Sequence, residues 1–195
     1  MKYALPFLDY IQKYVALTAE EESIILSKVV PRTYLKNQYI IQQGDICKTV
    51  NFIISGCTKT FHMDSSGQEH IVMFSIEDWW TGDMGSFSTQ EAADFNIQCL
   101  EKTELVQCTY EDMEELFEKI PKMERFFRKI TERAYVASQK RIVRNFSLDA
   151  KERYKIFRVT YPKIDQRVPQ YMIASYLGIT KEFLSKIKAQ LLHNP

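Results

Sequence analysis

The sequence predicts an α+β protein: a closed or sandwiched antiparallel sheet in front, one long helix, and a helix-turn-helix at the back. Three observations carry this. Short apolar runs broken by Gly44-Asp45, Ser55-Gly56 and Asp64-Ser-Ser-Gly67 fill the stretch from Arg32 to Tyr110. A long segment free of helix breakers follows Pro121. Residues 170–192 read QYMIASYLGITKEFLSKIKAQLL, two helical segments around Gly178.

The elements follow in order. Residues 5–14 suggest a short helix. Thr18-Ala-Glu-Glu21 has the spacing of a capping box, opening a helix to about Val29, and Pro31 is expected to end it. Strands are expected at Tyr39–Ile41, Thr49–Ile54, Thr58–Met63, Glu69–Phe74, Phe95–Cys99 and Glu104–Cys108, an even spacing that suits an antiparallel sheet closed on itself or stacked in two layers. Glu111–Phe117 reads as a short helix.

The helix opened by Pro121 should reach about Phe146. Met123, Phe127, Ile130, Ala134 and Ala137 recur at alternating steps of four and three, a coiled-coil-like seam. Tyr135, Ile142 and Phe146 form a second stripe. One stripe is expected to pack on its own subunit and the other on a twin, and Met123–Ala137 is assigned to the dimer interface. Asp149-Ala-Lys-Glu152 is a second capping box, heading a helix with Ala150, Tyr154, Phe157 and Tyr161 on one face; Pro162 is expected to stop it. Pro169 suits the start of the next helix.

In the last segment Ala174 is small where two helices cross. Gly178 sits where the chain must turn, and glycine reaches a left-handed conformation at no steric cost. Ile173, Leu177, Ile179, Leu184 and Ile187 would face inward, and Thr180 can cap the second helix. An ordinary buried helical hairpin would share this pattern. Charge separates the two readings. Residues 1–120 hold 9 Lys/Arg and 19 Asp/Glu, a net of −10; residues 121–195 hold 17 and 6, a net of +11. The whole-chain charge of +1 thus hides an acidic front and a basic back. A basic segment carrying a helix-turn-helix suits the phosphate backbone of duplex DNA.

A chain of 195 residues with 45% hydrophobic and 26% charged residues is of ordinary globular composition. No apolar run reaches membrane-spanning length and no signal peptide is recognised, so a cytoplasmic protein is expected. Cys47, Cys57, Cys99 and Cys108 lack C-x-x-C spacing and read as buried free thiols. No metal cluster or catalytic triad is visible, and neither a cofactor nor an enzyme activity is expected.

Two stretches resemble the Crp/Fnr family of bacterial transcription regulators. QQGDICKTVNFIISGCTKTF (42–61) is similar to that family's Gly-Asp/Glu turn and Gly-ended hairpin at Gly44, Asp45, Phe52, Ile53 and Gly56. RVPQYMIASYLGITKEFLSKIK (167–188) is similar to the short helix-turn-helix of many Bacteroidetes members. The resemblance implies an antiparallel β-roll of the cyclic-nucleotide-binding type over 1–120, a dimerisation helix over 121–147 and an all-α DNA-binding unit over 148–195. It implies a hinge near Asn145–Asp149. The sequence runs only a few residues beyond Leu192, so no hairpin wing is expected behind the reading helix.

Family sensors hold a cyclic nucleotide with a Gly-Glu pair for the ribose and an Arg for the phosphate. Here Gly82-Asp83-Met84 stands at the first place and Glu91-Ala92-Ala93-Asp94, without an Arg, at the second. Acids where a phosphate would lie repel it, so cyclic AMP is not expected to bind in the usual way. Trp80, Gly82, Asp83, Met84, Ala93 and Asp94 are the candidate effector pocket, for a small molecule the sequence does not name; Trp79, Trp80, Phe87 and Phe95 otherwise fill the core.

By the resemblance Lys181, Glu182 and Lys186 take the base-reading positions: Lys donates to guanine, Glu accepts from cytosine N4. Ser185 lies between them, Thr180 suits a phosphate and Lys188 is a phosphate contact. Lys in place of the frequent Arg at 186 cannot form a bidentate fork, so looser base selection is expected. The basic helices around Arg141–Arg158 are expected to supply non-specific affinity. The reading is a homodimeric regulator on a near-palindromic duplex site, with RNA polymerase as a further partner. The competing reading is a signal-binding roll with a vestigial DNA end that acts through a protein partner.

Overall fold

The computed structural model describes residues 3–193. Two short helices open the chain: α1 (Ala4–Gln12) and α2 (Ala19–Ser27). The capping box at α2 forms in full, with Thr18 Oγ1 accepting from Glu21 N at 3.3 Å and Glu21 Oε2 accepting from Thr18 N at 2.7 Å. Two orphan amides at the helix start are satisfied in this way.

Eight strands follow: β1 (Val30–Tyr34), β2 (Tyr39–Ile41), β3 (Thr49–Ser55), β4 (Thr58–Met63), β5 (Glu69–Ser75), β6 (Trp80–Thr81), β7 (Asn96–Cys99) and β8 (Thr103–Thr109), with α3 (Met84–Thr89) between β6 and β7. They pair antiparallel in two four-stranded sheets of order β1-β8-β3-β6 and β2-β7-β4-β5. Pro31 does not act as a stop: it lies inside β1. That strand is the sheet's edge and pairs only with β8, which is where a residue without an N–H is tolerated. β6 and α3 have no counterpart in the sequence reading. The chain passes from one sheet to the other between β3 and β4 at Gly56. Its φ is +117° and a Cβ there would stand 2.7 Å from the Thr103 backbone, so only glycine fits.

α4 (Tyr110–Lys119) and the 26-residue α5 (Lys122–Ser147) come next. Leu148 is extended and Asp149 heads α6 (Ala150–Thr160) with a second complete capping box to Glu152. α6 ends just before Pro162, with Tyr161 out of helical conformation, and Pro162 is also the first residue of α7 (Pro162–Arg167), where its missing N–H costs nothing. Two further helices, α8 (Gln170–Tyr176) and α9 (Lys181–His193), complete the order.

Burial falls into two groups. The first gathers Phe7, Ile11, Ile25, Phe52, Val106, Leu116, Met123 and Phe126 between the amino-terminal helices, the roll, α4 and the start of α5. The second joins Phe61, Ile71 and Phe74 of β4 and β5 to Tyr154, Phe157, Ile173 and Leu184 of the carboxy-terminal helices. Each such side chain contributes about 1.5–3 kcal/mol when fully buried. The carboxy-terminal helices therefore share a core with the roll. Glu77 and Arg167 reinforce the junction through two bonds of 2.8 and 3.0 Å, and Glu101 pairs with the same guanidinium. Burial alone would raise the Glu77 pKa. The Arg167 bonds and the Gly56 amide outweigh it and hold the carboxyl below its usual range.

All four cysteines are buried. Burial pushes the Cys57 and Cys108 thiols up to about 12, so both stay protonated and unreactive at neutral pH. Among the described residues no helix is long and apolar enough to cross a membrane.

Candidate nucleic-acid interface and sensor loop

Local chemistry shapes the reading unit. α8 begins behind Pro169 and buries Met172, Ile173 and Ala174. It ends in a Schellman motif, with Ile179 N donating to Ala174 O at 3.0 Å and Gly178 N to Ser175 O at 3.0 Å. Gly178 sits at φ +67°, the left-handed conformation this motif requires. Thr180 Oγ1 then accepts from Phe183 N at 3.2 Å and caps α9. Leu184 and Ile187 turn inward, which fixes the helix rotation. Glu182, Ser185 and Lys186 fall on the opposite face and are exposed, as are Thr180 and Lys181. Lys188 differs: it is half-buried, with its Nζ 5.9 Å from the centre of the Tyr154 ring.

The sensor loop is arranged otherwise than the sequence suggests. Asp83 is only 4% exposed. Its Oδ1 accepts from Ser86 N at 3.1 Å, capping α3, and its Oδ2 accepts from Asp94 N at 2.9 Å and Phe95 N at 3.2 Å. The carboxylate meant for a ligand is thus spent on the loop's own amides. Trp80 turns into the core, with its ring centroid 4.9 Å from Phe127 and 5.5 Å from Phe52. Ala93 is buried, its N–H donating to Asp45 O and its carbonyl accepting from Gly44 N. Gly82 is half-buried beside Val50, while Met84 and Asp94 are exposed. The six candidate pocket residues therefore do not converge on one space. Of them only Met84 lines a groove of about 560 Å³, which it shares with Phe87, Tyr110, Met113, Phe117 and Tyr135. No Lys or Arg occurs between Lys59 and Lys102, so this stretch brings an anion no permanently charged side chain as counter-charge.

The expected dimer seam is covered unevenly by its own chain. Met123 is 1% exposed within its own chain, and Phe127 and Ile130 pack on the same core. Met123 is covered in cis, whereas Phe127 and Ile130 are half-buried and keep part of their surface open. Ala134 and Ala137 are exposed. The second stripe is the bare one: Tyr135, Ile142 and Phe146 are exposed, Phe146 at 88%, flanked by exposed Val136 and Val143. A heptad pattern shows that two faces are apolar but not which is covered by the same chain.

Residues 31–120 match the cyclic nucleotide-binding domain family. The transcriptional activator protein anr of Pseudomonas aeruginosa is 24% identical over 193 residues, covering 92% of this chain and 78% of that protein. The regulatory protein HlyX of Actinobacillus pleuropneumoniae is 24% identical over 185 residues, covering 87% and 75%. Among solved structures, the c-di-GMP responsive global regulator CLP of Xanthomonas campestris has a TM-score of 0.74 at 17% identity, over 91% of this chain and 93% of that one. The catabolite activator protein of Thermus thermophilus has a TM-score of 0.58 at 20% identity, over 94% and 87%. Taken with the roll, the long helix and the helix-turn-helix behind it, these likenesses lead to one conclusion: residues 31–120 are a cyclic nucleotide-binding-type domain, in a chain similar over most of its length to transcription regulators of the Crp/Fnr type.

Proposed function

We propose that the chain is a homodimeric, sequence-specific DNA-binding regulator that acts in the cytoplasm by binding rather than by catalysis. The observation that carries this is the exposed face of α9. Lys181, Glu182, Ser185 and Lys186 stand clear of the core on a helix whose turn, cap and rotation are fixed by Gly178, Thr180 and Leu184. Lys181 and Lys186 would donate to guanine, Glu182 would accept from cytosine, and Thr180 would meet a phosphate. Two copies related by a two-fold axis would place two such helices about 34 Å apart, one turn of duplex, on a near-palindromic site. The exposed Tyr135–Phe146 stripe is the face we assign to the axis, replacing the Met123–Ala137 seam. Residues 1–120, 121–147 and 148–195 then act as sensor, dimer helix and reader, and RNA polymerase is the partner a promoter-bound dimer would meet.

The loop closed by Asp83 argues against a cyclic nucleotide as the signal. An uncharged effector, or none, fits better. Titration of labelled duplex DNA at rising salt tests the reading. Binding should weaken steeply, with a log–log slope of about −0.9 for each phosphate contacted. A chain that binds no duplex at low salt would contradict it.

A further inference from the structure

Arg141 lies on the basic half of the chain, yet its charge is turned inward. It sits on α5 where that helix passes β5. One guanidinium nitrogen, Nη1, donates to Val72 O. The other, Nη2, donates to Ile71 O at 3.4 Å and to Tyr176 O at 3.1 Å. The guanidinium carbon is 4.0 Å from the centre of the Tyr176 ring. β5 is an edge strand, so its outward carbonyls and amides need partners from outside the sheet. Ser175 supplies a second tie: its Oγ accepts from Ile71 N at 3.2 Å and donates to Glu69 O at 3.1 Å.

Tyr176 O is the telling acceptor. The Schellman bonds at the end of α8 use the carbonyls of Ala174 and Ser175. Tyr176 O is among the helix-terminal carbonyls left over, and a cation there also suits the negative end of the helix. Four residues further on, Thr180 caps α9. One side chain thus joins the long helix, the edge of the roll and the last carbonyls before the reading helix.

We infer that Arg141 is a positioning residue for DNA reading, setting the angle of α8 and α9 against the long helix, and not a contact to DNA. Lysine would replace it poorly. Its ammonium gathers three donors at one point, whereas the planar guanidinium spreads its donors over separate nitrogens and lies flat on a ring.

The inference rests on the DNA-binding reading, and the test separates the two. R141K and S175A, in the full chain, are compared with wild type on a selected operator and on a scrambled duplex across a range of salt. Amide hydrogen exchange at Ile71, Gly178 and Ile179 is followed without DNA. R141K should lose about ten-fold or more in operator affinity, with scrambled-duplex affinity and salt slope unchanged, and exchange should quicken at those amides. S175A should move the same way by less. R141Q, which removes the charge that R141K keeps, should also leave the salt slope unchanged; a slope smaller by about one in R141Q, with both affinities falling together, would make Arg141 a phosphate contact and overturn the inference. Unchanged operator affinity or unchanged exchange in R141K would overturn it too. Failure of the reading itself would show as wild type binding no duplex, whatever the exchange data give.

Discussion

Lys186 and Arg141 carry the same charge, and the sequence treats both as members of one basic segment. Their surroundings separate them. Lys186 stands exposed on the outward face of α9, opposite buried Leu184 and Ile187, whereas Arg141 is bound to three carbonyls. Lys186→Ala should therefore cost about 1–3 kcal/mol of specific binding and relax preference at one base position. An operator titration in which the mutant binds like wild type would remove it from the base readers. Asp83 shows the same limit of residue-level reading. Its type and place beside Gly82 suggest a ligand carboxylate, but two of its partners are backbone amides eleven and twelve residues away. No sequence pattern announces a bond to a backbone N–H across a loop.

Elements whose signals are local were legible, and elements made by tertiary context were not. Both capping boxes formed where Thr18-Glu21 and Asp149-Glu152 placed them. The turn at Gly178 and the cap at Thr180 likewise rest on chemistry within a few residues. By contrast β1 holds Pro31 because it is an edge, and β6 is two residues paired to β3, facts of sheet order that no local rule contains. α5 sits between these cases. Its length and its two apolar stripes were readable, but not that the same chain buries Met123 and half-covers Phe127 and Ile130. Arg141 gave the one hint, standing four residues after Ala137 in the phase of that first stripe. The exposed stripe is where the dimer should break. Phe146→Asp together with Ile142→Asp should leave the fold intact, since both side chains are exposed, and yield a monomer by light scattering at micromolar concentration. A persistent dimer would return the axis to another surface.

At the scale of the whole molecule the roll and the reader form one packed body. Phe61, Ile71 and Phe74 share a core with Tyr154, Phe157 and Ile173, and Arg167 is held by Glu77 and Glu101 across the same junction. A signal that loosens the roll near β5 would therefore reach α8 directly, through packed side chains with no slack linker between. The same junction leaves the α9 face open. The central claim is that this open face, doubled by a two-fold axis, reads sequence. The measurement that tests it most directly is selection from a pool of random duplex DNA, followed by sequencing of what the protein retains. A two-fold symmetric consensus with half-site centres about 10 base pairs apart is the predicted result. Retention without any consensus, or a consensus lacking two-fold symmetry, would contradict the account.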